Sequence, residues 1–225
     1  MLRRIGAFLR IAPEGFGIIA LAAVVPLMAL AAGFHKTAFV TVLCVGAVAA
    51  FFRDPERHTP SRRGVVCSGA DGRVCDVAED AALTCIGIGD ERWRRVSVFM
   101  SPFNVHVNRA SVSGEVLAVR HRAGEFRAAF SDRASENNER NLILIADAAG
   151  RRHAMVQVAG YLARRIVCRV SERQAVRCGE RIGLIMFGSR VDHFLPAGFR
   201  VTVAVGDAVR AGETVIGESY DEPSA

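Results

Sequence analysis

Lysine is nearly absent from this chain, since Lys36 is the only lysine among 29 basic residues and all the others are arginine. Beyond that position the chain has no side-chain amine to which biotin, lipoate or pyridoxal phosphate could be attached. Any reaction between an amine and a carbonyl in the rest of the chain must therefore draw its carbonyl from another source.

Paired cysteines are also lacking, because the six cysteines include no C-x-x-C pair. This spacing indicates neither a zinc site nor a disulfide framework, and we expect no metal. Scattered free thiols are typical of a reducing compartment. Aromatic residues make up only 7% of the chain and form no stacking platform beside the arginines, so the formal charge of +6 does not predict nucleic-acid binding.

Two long uncharged runs open the chain. The first, residues 15–33, has 19 residues, close to the roughly 20 that a helix needs to cross the hydrocarbon core of a bilayer. The second, residues 38–52, follows a four-residue break and is shorter. We predict that residues 1–52 form a transmembrane or membrane-associated helical hairpin ahead of a second domain, residues 53–225. A buried helical pair in a soluble protein and a signal peptide are the alternatives.

Arginine is concentrated at both outer ends of the predicted hairpin, whereas the loop inside it holds only His35 and Lys36. The outer arginines are Arg3, Arg4, Arg10, Arg53, Arg57, Arg62 and Arg63. Because positive residues favour the cytoplasmic side, we predict both ends in the cytoplasm, with the second domain on the cytoplasmic side of the cell membrane. The arginines after the hairpin would favour an anionic lipid surface.

From Val65 onward the apolar runs are short and are broken by glycine, which is typical of an all-β domain. One six-residue pattern occurs twice, 33 residues apart, as AVRCGE at 175–180 and AVRAGE at 208–213. The second copy, with the glycine and aspartate that precede it, resembles the turns of biotinyl/lipoyl-type β-sandwich domains. We therefore predict a mainly β fold, a small barrel or flattened sandwich with two lipoyl-like halves.

Three polar positions together carry the groups that activate a serine: the carboxylate of Asp71, the imidazole of His106 and the hydroxyl of Ser189. Taken singly, each has an ordinary structural interpretation. Asp71–Gly72 and Gly188–Ser189 are typical of hairpin turns, and a histidine on a strand face is more often structural than catalytic.

The peptide bond between Gly188 and Ser189 is itself a candidate for a reaction within the chain. Glycine adopts backbone conformations that other residues avoid, so a strained peptide can be held here between two apolar segments. The serine hydroxyl can attack the preceding carbonyl and convert the amide into an ester.

A series of motifs in a fixed order matches one known family. They are FFRDPER at 51–57, ADG at 70–72, SPFNVHVNR at 101–109, ASENNERN at 134–141, VQVAGYLARRIV at 156–167 and FGSRVD at 187–192. With these motifs the chain resembles the phosphatidylserine decarboxylases of the short, membrane-anchored bacterial type over nearly its whole length.

The resemblance implies a proenzyme that cleaves itself. Ser189 would attack the carbonyl of Gly188, the ester would break by β-elimination, and the dehydroalanine would hydrolyse to a pyruvoyl group at position 189. The products would be a β chain of residues 1–188 and an α chain of residues 189–225, which form a heterodimer. The pyruvoyl ketone would form a Schiff base with phosphatidylserine, and loss of CO2 would give phosphatidylethanolamine for phospholipid biosynthesis. A cofactor carbonyl made from the chain agrees with the scarcity of lysine.

The resemblance also implies roles for single residues. Asp71 matches the family's processing aspartate, and His106 matches the first histidine of its S-P-x-x-x-H motif. Larger members have a second histidine where this chain has Arg109, so one histidine would serve both self-cleavage and decarboxylation, or another group would take one role. Phe103, Asn104 and Arg109 are candidates for contacts with the substrate head group, since an arginine suits a lipid phosphate. A higher homo-oligomer is left open.

Two rival interpretations remain at this stage. A membrane-anchored, lipoyl-like adaptor without enzymatic activity would explain the apolar hairpin and the repeat, but not the joint occurrence of the FGS, ADG and SPFNVH motifs. A pyruvoyl enzyme that acts on a different amino acid, soluble or lipid-linked, would explain the motifs and differ only in its substrate.

Overall fold

A computed structural model of the chain describes residues 10–82, 92–124, 138–160, 165–186 and 189–221. The chain forms two compact units, of which the first ends at Glu56 and the second begins at Arg57. The domain boundary predicted from the sequence, after residue 52, lies just before this division.

The first unit contains two helices, α1 (Pro13–Ala31) and α2 (His35–Phe51), which pack against each other. Pro13 suits the first turn of α1 because its ring presets φ and the missing N–H would have no helical partner there. Gly33, with a φ of +79°, lies in the short connection that ends α1. The ends of the unit meet where Ala12 N donates to Phe52 O at 2.8 Å. The predicted helical hairpin is thereby confirmed.

Both helices expose large apolar side chains, as a lipid-facing surface would. α1 has a mean hydropathy of 2.0 and is long enough to cross a membrane, whereas α2 is apolar but shorter. At 1.5 Å per residue they are about 28 and 26 Å long, against a hydrocarbon thickness of about 30 Å. The exposed side chains include Leu21, Leu27, Met28, Phe39 and Leu43. An apolar surface of this kind is unfavourable in water, which supports membrane association.

The described part of the second unit is built of fourteen strands and contains no helix. The strands are β1 (Val65–Cys67), β2 (Gly72–Ala82), β3 (Arg92–Met100), β4 (Val107–Arg109), β5 (Gly114–Arg122), β6 (Arg140–Ala146), β7 (Arg152–Val158), β8 (Ile166–Cys168), β9 (Ala175–Val176), β10 (Arg181–Ile185), β11 (Ser189–Pro196), β12 (Phe199–Val201), β13 (Ala208–Val209) and β14 (Val215–Ser219). The prediction of a mainly β domain is confirmed.

The strands form one large and two small antiparallel sheets. The large sheet has the order β13-β2-β3-β11-β7-β6-β5-β9, and the small sheets have the orders β1-β14-β12 and β4-β10-β8. Side chains alternate between the two faces of each strand, so every second residue of the central strands enters the main core. Val96, Val98 and Met100 of β3 and Val191 and Leu195 of β11 are core residues of this kind.

The second unit consists of two related halves. The first copy of the repeated hexapeptide begins with β9, which pairs with β5, and the second begins with β13, which pairs with β2. The strands β2 and β3 are neighbours, as are β5 and β6, while β11 and β7 meet at the centre. A pseudo-twofold axis between β7 and β11 thus relates one half of the large sheet to the other half. This arrangement confirms the prediction of two similar halves.

Backbone hydrogen bonds of the two halves correspond residue by residue. Val74 O accepts from Gly206 N at 2.8 Å, and Val116 O accepts from Arg173 N at 2.7 Å. Gly206 and Arg173 are separated by the repeat length of 33 residues, and both have a positive φ, +100° and +67°. Val74 and Val116 therefore occupy equivalent positions.

Two connections lead from one half to the other. One leads from β3 to β4 and the other from β10 to β11; β3 pairs with β11, and β4 pairs with β10. One interpretation from the sequence was that Gly188–Ser189 forms a hairpin turn. That interpretation is wrong, because β10 and β11 belong to different sheets. The chain instead returns from one half to the other at this point.

Candidate active site

Ser189 is the first residue of β11, and its predicted partner in the cleaved bond, Gly188, lies outside the described residues. Ser189 is completely buried and pairs with Met100 at the end of β3. Its hydroxyl lies 3.5 Å from the sulfur of Met100. The predicted nucleophile is therefore shielded from bulk water and held beside an apolar thioether.

A chain of buried amides continues from this thioether into the sheet. Asn108 Nδ2 lies 3.7 Å from Met100 Sδ, Gln157 Nε2 donates to Asn108 Oδ1 at 2.8 Å, and Asn141 Nδ2 donates to Gln157 Oε1 at 2.9 Å. Such a network holds its members in one arrangement because each group would be costly to leave without a partner. Sequence reasoning assigned no role to Gln157 or Asn141, although both fall within motifs of the resemblance.

His106 precedes β4 on the connection that leads from β3. Its backbone oxygen accepts from Ile185 N at 3.3 Å, and its ring nitrogen Nδ1 lies 3.0 Å from Asn104 O. A carbonyl can only accept, so this geometry assigns the proton to Nδ1 and leaves Nε2 as the basic nitrogen. The ring is buried, as are its chain neighbours Val105 and Val107.

Asp71 is held by two contacts other than the predicted imidazole. Arg57 Nη2 donates to its Oδ2 at 2.7 Å, and Ala211 N donates to its Oδ1 at 2.8 Å. The Arg57 side chain is itself only 7% exposed and also contacts Glu213 at 3.3 Å. The structure thus places Asp71 in a clamped turn beside a guanidinium, and the relay from Ser189 through His106 to Asp71 stays a prediction.

His193 links the strand of Ser189 to the turn of Asp71, a role that sequence reasoning missed. Gly69 N donates to His193 Nε2 at 2.7 Å, and Nδ1 of the ring lies 3.2 Å from Val96 O. Burial lowers the pKa of His193 to about 4, so the ring is neutral at physiological pH and can accept from Gly69. A histidine between the apolar positions Val191 and Leu195, four residues after the serine, was the available signal.

We expect His193 to make the fold acid-sensitive. Its pKa is 6.5 when unfolded and about 4 when folded, so below pH 6.5 the unfolded chain binds more protons and stability falls as the pH is lowered. The loss should reach about 3 kcal/mol near pH 4. Urea unfolding at pH 7 and pH 4.5 measures it, with His193→Gln as the control that removes this titration. Equal pH dependence in both proteins would contradict the assignment.

The three candidates for head-group contacts occupy different environments. Phe103 is 86% exposed on the connection between β3 and β4. Asn104 Oδ1 accepts from the backbone N and the hydroxyl of Ser101, at 2.9 and 2.7 Å, and so closes the turn that carries Phe103. Arg109 is buried, and its guanidinium donates to Gly179 O at 2.8 Å. The substrate roles of these three residues stay predictions. The enclosed position of Arg109 argues against a contact between this residue and a phosphate.

These features define a class of protein: a β domain of two related halves, with a buried serine where the chain returns from one half to the other, preceded by two apolar helices. The chain belongs to the phosphatidylserine decarboxylase family, whose model matches residues 46–217. The resemblance stated from the motifs is therefore confirmed.

Two relatives are similar over most of their length. A protein of Ruegeria pomeroyi named phosphatidylserine decarboxylase proenzyme is 49% identical over 168 residues, which cover 75% of this chain and 77% of that protein. A protein of the same name from Cereibacter sphaeroides is 48% identical over 168 residues, which cover 75% of this chain and 72% of that protein. Both alignments are long enough to include most of the second unit.

Proposed function

We propose that the protein decarboxylates phosphatidylserine to phosphatidylethanolamine, as a step of phospholipid biosynthesis, with a pyruvoyl group made from Ser189. Family membership carries this proposal, because both relatives are named as proenzymes of this activity. The burial of Ser189 supports it, since an ester formed at a position shielded from water is protected from competing hydrolysis.

Self-cleavage would use groups of this chain alone. His106 Nε2 takes the proton of the Ser189 hydroxyl, whose oxygen then attacks the carbonyl carbon of Gly188. The C–N bond breaks as the amide nitrogen of residue 189 takes up a proton, which leaves an ester between the two residues. Elimination then releases residue 188 as a carboxylate, and water replaces the nitrogen of the remaining dehydroalanine, which leaves as ammonia.

The environment of position 189 fits a resident carbonyl. A pyruvoyl carbonyl supplies an electron sink for the loss of CO2 from a bound amino acid. The second unit has no lysine that could condense with such a carbonyl, and the only lysine of the chain, Lys36, belongs to α2. The buried amide chain through Gln157 would hold the neighbouring Met100 and so the wall of the site.

The cleaved chains would remain together as a heterodimer. The α chain, from residue 189 onward, contributes β11 to β14. Of these, β11 pairs with β3 and β7, β13 pairs with β2, and β14 pairs with β1, all of which belong to the β chain. Cutting the connection before β11 removes none of these pairings.

The experiment that tests the function is mass spectrometry of the denatured protein, followed by an assay of CO2 release. We expect two fragments, residues 1–188 and 189–225, the second of which reacts with a carbonyl reagent. CO2 should be released from phosphatidylserine in mixed micelles and not from free serine. An intact chain of 24.2 kDa would contradict self-cleavage, and release from serine alone would favour the rival substrate.

We also propose that the helical hairpin holds the second unit on the cytoplasmic side of the cell membrane, next to a lipid substrate. Deletion of residues 1–52 is expected to move the protein from the membrane pellet to the supernatant, with circular dichroism to verify its β content. Undiminished sedimentation would remove the anchor. Cys75 is exposed in the second unit, so it should react with a membrane-impermeant thiol reagent only after the cells are opened.

A further inference from the structure

The pseudo-twofold axis gives Ser189 a counterpart in the other half of the domain. Val98 of β3 pairs with Val191, and Ile145 of β6 pairs with His153 at the equivalent place in the other half. Two residues before Val191 and His153 are Ser189 and Arg151. Arg151 is therefore the counterpart of Ser189. Asp147 is the counterpart of Met100, and its backbone N donates to Arg151 O at 3.0 Å.

The turn of Asp71 has a counterpart as well. Asp71 accepts from Ala211 N at 2.8 Å, and the hydroxyl of Ser113 accepts from Cys178 N at the same distance. Cys178 precedes Ala211 by the repeat length, and Ser113 follows Asp71 by the interval that separates Val74 from Val116. The counterparts of Ser189, Met100, Asp71 and Ala211 in the other half are thus Arg151, Asp147, Ser113 and Cys178.

A cavity of about 690 Å³ lies at this second place. Its walls include Ser113, Asp147, Arg151 and Cys178 from the repeated framework, together with Arg62 and Arg63 from the segment that leads into β1. The volume falls within the range of small-molecule sites in proteins, about 300 to 1,000 Å³.

Arginine side chains give the cavity and its border a net positive charge. Arg151 Nε donates to Asp147 Oδ2 at 2.7 Å, so this pair is neutral. Arg62 shares the single carboxylate of Glu218 with Arg200, and Arg63 adds a further charge. Four guanidinium groups in and beside the cavity thus face two carboxylates. His153, which also lines the cavity, adds no charge at neutral pH because burial lowers its pKa.

We propose that this cavity is a second, non-catalytic binding site for a phosphate-bearing anion, the chemistry shared by phospholipid head groups and small phosphate esters. Guanidinium groups match phosphate oxygens in charge and geometry, and they outnumber the carboxylates here. Arg151 occupies the place of the self-cleaving serine, so this half binds without reacting. The inference that the phosphate belongs to a lipid head group rests on the proposed function, whereas the inference that the cavity binds a phosphate does not.

Alkylation of Cys178 gives a local readout of this site. A hydrogen bond from the neighbouring Cys67 thiol lowers the pKa of Cys178, which favours its reactive thiolate. Full-length Ser189→Ala protein in phosphatidylcholine nanodiscs would be treated with iodoacetamide, and peptide mass spectrometry would follow Cys178. Cys75 is exposed and is not among the cavity residues, so it serves as the internal control. The three probes are inorganic phosphate, glycerophosphoserine and nanodiscs that contain phosphatidylserine.

We expect a probe that fills about four-fifths of the sites to slow alkylation of Cys178 about fivefold and to leave Cys75 unchanged. Arg63→Ala should raise the half-protecting concentration about tenfold, whereas Arg63→Lys should raise it less. Arg92→Ala, at an exposed arginine of β3, is the matched control without effect. Protection by inorganic phosphate assigns the site to free phosphate esters, and protection only by the two serine-containing probes assigns it to lipid head groups.

The proposal would be overturned if none of the three probes protected Cys178, or if Arg63→Ala bound them as well as the parent protein did. Isothermal titration of inorganic phosphate and glycerophosphoserine into the same proteins provides a second measurement that does not depend on thiol reactivity. Because these proteins lack Ser189, the result is independent of self-cleavage and of CO2 release, and failure of the proposed function would leave it unchanged.

Discussion

Replacing Ser189 by alanine is expected to leave one uncleaved chain of 24.2 kDa without decarboxylase activity. The substitution removes the hydroxyl that would attack the preceding carbonyl, so no ester forms, no elimination gives dehydroalanine, and no pyruvoyl group can arise at position 189. The second unit has no lysine to which another carbonyl cofactor could be attached. Denaturing mass spectrometry measures cleavage, and CO2 release from phosphatidylserine measures activity. We expect activity to fall to background rather than to a fraction of its original value.

Ser97→Ala is the matched control for this substitution. Ser97 is buried on β3, the strand that pairs with β11, and it lies opposite Asp192. Its loss removes a similar buried hydroxyl from the same sheet without touching the crossover, so cleavage should proceed normally. A cleaved Ser189→Ala protein would rule out the mechanism, and an uncleaved Ser97→Ala protein would mean that folding rather than chemistry had failed.

Replacing His106 by glutamine is expected to slow self-cleavage by about 10²- to 10⁴-fold, the usual contribution of a positioned proton acceptor. The Nδ1 proton is directed to Asn104 O, so Nε2 is the basic nitrogen that the substitution removes. The appearance of the fragment 1–188 after synthesis in a cell-free system measures the rate. Decarboxylation should be assayed separately on whatever cleaved protein accumulates, since this separates a role of His106 in decarboxylation from its proposed role in self-cleavage.

Two further variants distinguish chemistry from packing at His106. His106→Gly leaves a space that added imidazole can enter, and recovery of cleavage with imidazole would be expected only if the ring acts as a base. His121→Gln changes an exposed histidine on β5 and should have no effect. Cleavage of His106→Gln at the rate of the parent protein would exclude His106 as the proton acceptor.

Much of the fold could be predicted because its signals are local. The uncharged runs around Leu21 and Leu43 specify helices by length and composition alone. The short apolar runs after Val65 specify strands, and the repeated AVRCGE and AVRAGE turns specify two similar halves. The position of Ser189 after a glycine, together with the ordered motifs, indicates the family from the sequence alone.

The site could be predicted only in part. The sequence brought Asp71, His106 and Ser189 together as a list of chemical groups, but it carried no information on which of them touch. Asp71 is bonded to Arg57 and Ala211, and Arg109 lies beneath the repeated turn at Gly179. These contacts depend on the pairing of strands that are distant along the chain, and hydrophobic periodicity within a strand does not specify its partners.

The sequence by itself determined the apolar hairpin, the β character of the remainder, the twofold repeat and the serine that is proposed as the nucleophile. The tertiary structure alone decided that β10 and β11 lie in different sheets, and that His193 joins the Asp71 turn to the strand of Ser189. It also decided that a charged cavity occupies the equivalent place in the other half. The physical reason is that the local pattern sets which residues face a core, whereas antiparallel pairing of distant strands sets which of those residues meet.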